Sequence, residues 1–180
     1  MMDEIDFWYL ISQAESQAEA ESGSASVADQ VSAIRTALSK MEADDLTGFQ
    51  EMVDGLMNGA YGYDLWGAAY IITGGLSPDD FEAFRARLIL AGRQIFERAV
   101  DDPDSLAELD IDLTGEMEEA RDLLFIALET YEEVSGDGAI YERPGHSEMI
   151  APYGDNFDET DTEYFKQRYP QLWEKYCRED

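Results

Sequence analysis

The sequence predicts an all-α fold, a compact multi-helix bundle with a long irregular loop before the C-terminal helix. Apolar residues recur at helical spacing in successive segments, and most of these segments follow a residue that can cap a helix start. No segment shows the alternation of Val, Ile and Thr with polar residues that is typical of a strand. We expect one domain, in which residues 1–135 form the helical core and residues 136–180 add a loop and a helix packed on that core.

Three helices are predicted in the first third of the chain. The first has an apolar stripe of Phe7, Leu10, Ile11, Ala14 and Ala18. The second has Val27, Val31, Ile34, Leu38 and Met41, and the third has Leu46, Phe49, Val53, Leu56 and Ala60. Ser26 with Asp29 resembles a capping box for the second helix, and Asp44 or Asp45 is expected to cap the third.

The central segment predicts two helices joined by a tight turn. Asp64 is expected to accept hydrogen bonds from the first free N–H groups of one helix, and Gly74 and Gly75 end that helix with positive φ. Ser77 then begins the next helix as its N-cap, and Asp80 completes a capping box. Asp79 and Asp80 therefore have a structural interpretation as carboxylates at a positive helix end.

The helix after Ser77 carries one basic residue beside its apolar stripe. It is predicted to bury Phe81, Phe84, Leu88 and Ile95 and to expose Arg87, Gln94 and Arg98. A half-buried guanidinium at Arg85 needs a carboxylate, which Asp64, Asp79 or Asp80 could supply. The pair would orient two helices, or Arg85 would instead anchor an anion or ligand.

The last third of the chain has weaker helical patterns. A turn and a new helix start are predicted at 101–104, and Thr114 is expected to cap a further helix. Residues 135–158 contain Gly, Pro and the single His but no sustained periodicity, so they predict a long loop. Thr160 is expected to cap an aromatic C-terminal helix, which is interrupted at Pro170.

The charge excludes several classes of partner. The chain has 41 acidic and 12 basic residues and a formal net charge of −29. Such a surface repels phosphate, so we expect no direct nucleic-acid partner and no membrane. A cytoplasmic location is predicted, because the sequence shows no signal peptide and no spanning segment, and its only cysteine, Cys177, cannot form an internal disulfide. The acidity is also typical of adaptation to high salt, of high solubility or of nucleic-acid mimicry.

The sequence predicts no metal, no cofactor and no catalytic set. Residues 110–115 match the start of an EF-hand loop, but its twelfth position is Arg121, a cation that would repel calcium. His146 supplies only one nitrogen ligand to its loop.

Aromatic residues are dense just before the central turn, at Tyr61, Tyr63, Trp66 and Tyr70. They would form a buried seam between helices, or an exposed recognition surface of the kind that Tyr, Trp and Arg anchor.

The central block and both ends of the chain resemble a bacterial family, common in actinomycetes, known as domain of unknown function 4240. The resemblance rests on FWYLI near the N-terminus, on the sequence from Tyr63 to Tyr70 with the following glycines, on Asp79-Asp80-Phe81, on residues 101–106, and on the C-terminal residues 168–173. It extends over nearly the whole chain. The resemblance supports the helical fold and implies no activity, cofactor or partner.

Three functions are therefore kept open. The first is a non-enzymatic protein-interaction or regulatory module, with a protein partner bound by the candidate residues Tyr61, Tyr63, Asp64, Trp66, Asp79, Asp80 and Arg85. The second is a small-ligand-binding protein or enzyme with a pocket around Asp64, Trp66, Asp79, Asp80 and Arg85. The third is an acidic nucleic-acid mimic, which would require rows of carboxylates along one face.

Overall fold

A computed structural model describes residues 2–23, 26–135 and 151–177. Within these ranges the backbone forms ten α-helices and two 3-10 helices, with one isolated parallel bridge between Gly62 and Tyr153 and no strand. The all-α prediction is confirmed. Most of the predicted loop, including His146, lies outside the described residues.

The helices follow one another closely. The first five are α1 (Glu4–Ser22), α2 (Val27–Leu38), α3 (Ala43–Gly59), α4 (Tyr63–Thr73) and α5 (Pro78–Leu90). Then come α6 (Arg93–Asp101), a 3-10 helix (Pro103–Glu108), α7 (Met117–Arg121), a second 3-10 helix (Asp122–Leu124) and α8 (Ile126–Ser135). The C-terminal helices are α9 (Thr162–Arg168) and α10 (Pro170–Tyr176).

The core lies between the predicted apolar stripes. All five stripe residues of α1 are buried, and α1 packs along α2 while α3 packs against α8. Phe7 of α1 and Phe49 of α3 meet with ring centroids 5.1 Å apart. α10 lies against the first 3-10 helix and α4, so the C-terminal helices contact the central segment. Within the described residues, no helix is both long enough and apolar enough to cross a bilayer.

The predicted turn between α4 and α5 is confirmed. Gly74 and Gly75 adopt φ of 73° and 128° after α4, where a side chain would be strained. Ser77 Oγ accepts from the N–H of Asp80, and the Asp80 carboxylate accepts from the N–H of Ser77, which completes the capping box. Ser26 also caps α2, because its Oγ accepts from the N–H of Asp29.

Two predicted aspartate caps are wrong. α3 begins at Ala43 without a side-chain cap, so Asp44 and Asp45 lie in its first turn. α4 begins at Tyr63, one residue before Asp64, and again lacks a side-chain cap. Carboxylates in a first turn still interact favourably with the helix dipole, so the acidic pattern marks the helix start without marking the cap.

Both predicted threonine caps are also wrong, for one shared reason. The hydroxyl and N–H of Thr114 donate to Asp112 Oδ1, and those of Thr160 donate to Asp158 Oδ1. Each Asp-x-Thr sequence thus closes a local turn that uses the threonine. α7 begins only at Met117, and Asp161 caps α9.

The long helix predicted after Ser77 is two helices. Gly92, with a φ of 96°, separates α5 from α6. Arg87 was expected to face water, but it is half-buried and donates to the carbonyl of Asp112. Burial lowers the pKa of Arg87, and its Nε is a buried donor without a partner among the described residues.

Candidate functional site

The candidate site begins where the chain passes from α3 to α4. The N–H of Tyr153 donates to the carbonyl of Tyr61 at 3.1 Å, and the N–H of Tyr63 donates to the carbonyl of Tyr153 at 2.9 Å. The ring of Tyr153 crosses Gly62 so closely that a β-carbon there would lie 2.5 Å from the ring. A side chain at position 62 would therefore force the Tyr153 ring to shift from Gly62.

Four rings form the centre of the site. The Trp66 ring stacks on Phe81 at 4.8 Å, on Tyr63 at 6.2 Å and on Tyr61 at 6.3 Å between centroids. Phe81 is fully buried, whereas Tyr61, Tyr63 and Trp66 are half-buried. We call Tyr61, Tyr63, Trp66 and Phe81 the aromatic cluster. Its inner side is part of the buried seam that was one predicted alternative, its outer side is partly exposed, and recognition by that outer side stays a prediction.

Arg85 lies against the inner, buried side of the aromatic cluster. Its side chain is 8% exposed, and the guanidinium donates to the carbonyls of Met57 at 2.6 Å and Phe81 at 3.3 Å. The guanidinium carbon lies 4.5 Å from the Tyr61 ring centroid and 5.0 Å from that of Phe81, at cation–π distance. Burial lowers the pKa of Arg85.

The predicted ion pair between Arg85 and Asp64, Asp79 or Asp80 is therefore wrong. Among the described residues, backbone carbonyls and aromatic faces replace the carboxylate that a buried guanidinium was expected to need. This arrangement is physically sufficient because carbonyl dipoles and ring quadrupoles both attract the cation.

Asp64 pairs with a cation far along the sequence. Its two oxygens accept from Nε and Nη2 of Arg168 at 3.2 and 2.6 Å, a bidentate pair that raises the pKa of Arg168. The two side chains are about half exposed, so the pair lies at the surface.

Asp79 and Asp80 lie in the first turn of α5, directly before Phe81 of the aromatic cluster. Asp79 is exposed, and Asp80 is used by the capping box with Ser77. Asp80 also lines a cavity of about 340 Å³ with Ile72, Thr73, Gly75, Leu76, Thr114 and Met117, none of which is another candidate residue. The structure thus joins Tyr61 to Trp66 and to Arg85, whereas Asp80 serves the helix cap and Arg85 bonds backbone carbonyls.

Sequence reasoning missed the residues that join the C-terminal part to this site. Phe157 meets the rings of Tyr63 and Tyr70 edge to face, at 6.4 and 5.9 Å. Tyr169 is fully buried and donates to the carbonyl of Asp64 at 2.8 Å, and burial raises its pKa. The aromatic pattern of the C-terminal helix predicted that Tyr169 docks on the bundle but did not indicate which helix it contacts, and Phe157 lies in a segment without periodicity that gave no signal.

Asp104 is a further missed residue. Its carboxylate accepts from the N–H groups of Gln171 and Leu172, the first free donors of α10. Pro170, at the first position of α10, was the available signal, since a helix start needs acceptors for its free N–H groups.

Within the described residues, no group of three or more His, Cys, Asp or Glu side chains is placed to hold a metal ion.

The fold and site define an acidic all-α domain in which a C-terminal segment covers part of an aromatic cluster. The chain belongs to the family described as Protein of unknown function (DUF4240), whose family model matches residues 2–133. The match includes the aromatic cluster and Arg85 and ends before the C-terminal residues 168–173. Comparisons with curated proteins and with solved structures gave no match.

Proposed function

We propose that this protein is a non-enzymatic interaction module of the cytoplasm, which binds an extended segment of another protein beside the aromatic cluster. One observation carries the proposal: the backbone of residues 61–63 pairs with Tyr153, and Tyr63 and Tyr70 meet Phe157. Backbone pairing combined with side-chain contacts is how domains bind extended peptides. The contacts of Tyr153 and Phe157 thus indicate what a partner segment would need, namely an extended backbone and aromatic side chains.

The C-terminal segment that contacts the aromatic cluster has a partly exposed part and a buried helical part. We call residues 151–160 the strap. The strap residue Tyr153 is 52% exposed and Phe157 is half-buried, whereas Phe165, Tyr169 and Leu172 of the helical part are at most 2% exposed. Exposed contacts contribute little stability and exchange easily, so a partner would replace the strap while α9 and α10 stay anchored.

The charge supports a partner with basic flanks. The strap carries Asp155, Asp158 and Glu159 and no basic residue, and these three carboxylates are part of the net charge of −29, so the rest of the protein is also strongly negative and repels the strap. A segment with the same two rings and with Lys or Arg around them would bind more tightly. The strap therefore competes weakly with a partner segment and regulates the partner's access to the aromatic cluster.

The alternative functions have less support. A ligand pocket would need the candidate carboxylates to converge, but Asp64 binds Arg168 and Asp80 caps α5. Nucleic-acid mimicry would need rows of exposed carboxylates that make no hydrogen bonds within the protein. Several acids instead cap helix starts, among them Asp3, Asp104 and Asp161.

Peptide binding in trans tests the proposal. The full chain with Tyr153→Ala and Phe157→Ala should bind a labelled peptide of the strap sequence, with its acids replaced by Lys, more tightly than the wild type does. Fluorescence anisotropy at physiological salt would measure this difference. The matched control is Tyr176→Ala, an exposed aromatic residue of α10, which should behave as the wild type.

A second peptide controls for charge. The same peptide with its Tyr and Phe replaced by Ala should not bind the loosened variant. Equal binding of both peptides, or equal binding by wild type and variant, would contradict the proposal.

A further inference from the structure

A second surface of the protein, formed by α1, α2 and the start of α3, shares no residue with the candidate site. α1 lines one side of a groove with Asp6, Leu10, Ala14 and Gln17, which lie on one face over three turns. At 1.5 Å per residue these turns extend about 16 Å. The groove has a volume of about 350 Å³.

The floor of the groove is apolar and made of small residues. Ala14 is 4% exposed, Ala33 is 9% exposed and Ala37 is half-buried. Small side chains let the side chains of an incoming helix reach the groove floor. Tyr9, on the rim, is 65% exposed, and Ile5, one turn earlier on α1, is 74% exposed. Large apolar side chains held in water beside an apolar groove mark an interaction surface.

The charge around the groove selects the occupant. Asp6 of α1 and Asp45 of α3 contribute carboxylates, and among the described residues that line the groove none is Lys or Arg. A second copy of this chain would bring a further net charge of −29, and nucleic acid or an anionic bilayer would also bring negative charge. An amphipathic helix with basic flanks satisfies both the apolar floor and the acidic rim.

We propose that this groove binds a cationic amphipathic helix of a partner protein. Its apolar residues, at spacings of three and four, lie over Ala14, Ala33 and Ala37, and its Lys or Arg residues lie near Asp6 and Asp45. The long-range field of the protein accelerates the encounter, so association is fast at low salt and slower at high salt.

The first test is a titration of the full chain with three synthetic peptides. One is an amphipathic helix of Leu and Lys, the second has the same composition with the Leu residues spread around the helix, and the third keeps the apolar face but has Gln in place of Lys. The first should bind at least about tenfold more tightly than either of the others, since register and charge each contribute. Equal binding of the first two peptides would show general charge attraction and overturn the proposal. Equal binding of the first and third would show that the Lys residues do not contribute, and would also overturn the proposal.

The second test places the binding in the groove. Ala37→Trp fills the floor and should weaken binding of the Leu and Lys peptide by about tenfold or more. Ala28→Trp is its control, because Ala28 is an exposed residue of the same helix that does not line the groove. Equal affinities of the two variants would overturn the proposal.

A charge variant keeps the test decisive if Ala37→Trp fails to fold. Asp6→Asn with Asp45→Asn should weaken binding up to about fivefold for each carboxylate. Glu51→Gln with Glu119→Gln removes the same charge from exposed positions that do not line the groove and should have less effect. The same loss in both double variants, or formation of a dimer that excludes the peptide, would overturn the proposal.

Discussion

Gly67→Ala tests how the C-terminal helices are held on α4. A β-carbon at Gly67 would lie 3.0 Å from Cζ of Tyr169 and closer still to its hydroxyl. Tyr169 is fully buried, so its ring cannot move aside without breaking the hydrogen bond to the carbonyl of Asp64. The substitution therefore acts against a packed side chain and not against solvent.

Three contributions give the magnitude. Alanine in place of glycine inside a helix stabilises by up to about 1 kcal/mol. Overpacking costs about 1–3 kcal/mol. Loss of the Tyr169 hydrogen bond costs about 1 kcal/mol more. We expect Gly67→Ala to lower the free energy of unfolding by about 1–3 kcal/mol, measured by denaturant titration.

Two further variants test whether contact with Tyr169 causes the loss of stability in Gly67→Ala. Gly55→Ala, in α3, has nothing within 4 Å of the new β-carbon, so it should stabilise by up to about 1 kcal/mol. Tyr169→Phe removes the hydroxyl, so the double variant Gly67→Ala with Tyr169→Phe should cost less than the sum of the two single variants. Strict additivity, or a stabilised Gly67→Ala, would refute the packing account.

Four other predictions follow from the structure. Arg85→Ala should lower the free energy of unfolding by about 3 kcal/mol in denaturant titration, because it leaves a cavity and a buried carbonyl without its hydrogen bond. The control Arg98→Ala, at an exposed position, should lower it by less than about 1 kcal/mol. Hydrogen bonds from Thr114 and Gly115 lower the pKa of Asp112, so its contribution to stability is present above about pH 4 and is lost as pH falls through the lower folded pKa. Asp112→Asn should therefore flatten the acid limb of the unfolding free energy relative to the wild type. Burial raises the pKa of Cys177, so its alkylation should be slow, and Asp104→Ala should accelerate it by loosening α10. Circular dichroism should show a mainly helical protein whose melting temperature rises between low and moderate salt, since screening reduces self-repulsion, and an unchanged or lower melting temperature would count against this.

Local sequence patterns were enough to predict most of the fold. The capping box at Ser77, the glycines after α4 and the apolar stripe of α1 all depend on residues within a few positions of each other. The two wrong threonine caps also have a local origin. Asp112 and Asp158 compete for the neighbouring threonines, and a cap prediction that considers one residue at a time cannot show which acceptor wins.

The candidate site was only partly predictable, because its decisive contacts are distant in sequence. The block from Tyr61 to Arg85 did contain the aromatic cluster and its guanidinium. Asp64 and Arg168, however, are 104 residues apart, and periodicity within a helix gives no information about a partner at that distance. Arg85 itself was misinterpreted, since a sequence shows candidate carboxylates but not the carbonyls that the fold brings near.

Affinity capture from native cell extract followed by mass spectrometry tests the central claim most directly, namely that the aromatic cluster and its strap form a regulated protein-binding site. Three full-length baits would be compared: the wild type, Tyr153→Ala with Phe157→Ala to loosen the strap, and Tyr63→Ala to remove a ring beneath it. We predict one recurrent stoichiometric partner, enriched by the loosened strap and reduced by Tyr63→Ala. No stoichiometric partner, or equal capture by all three baits, would contradict the account.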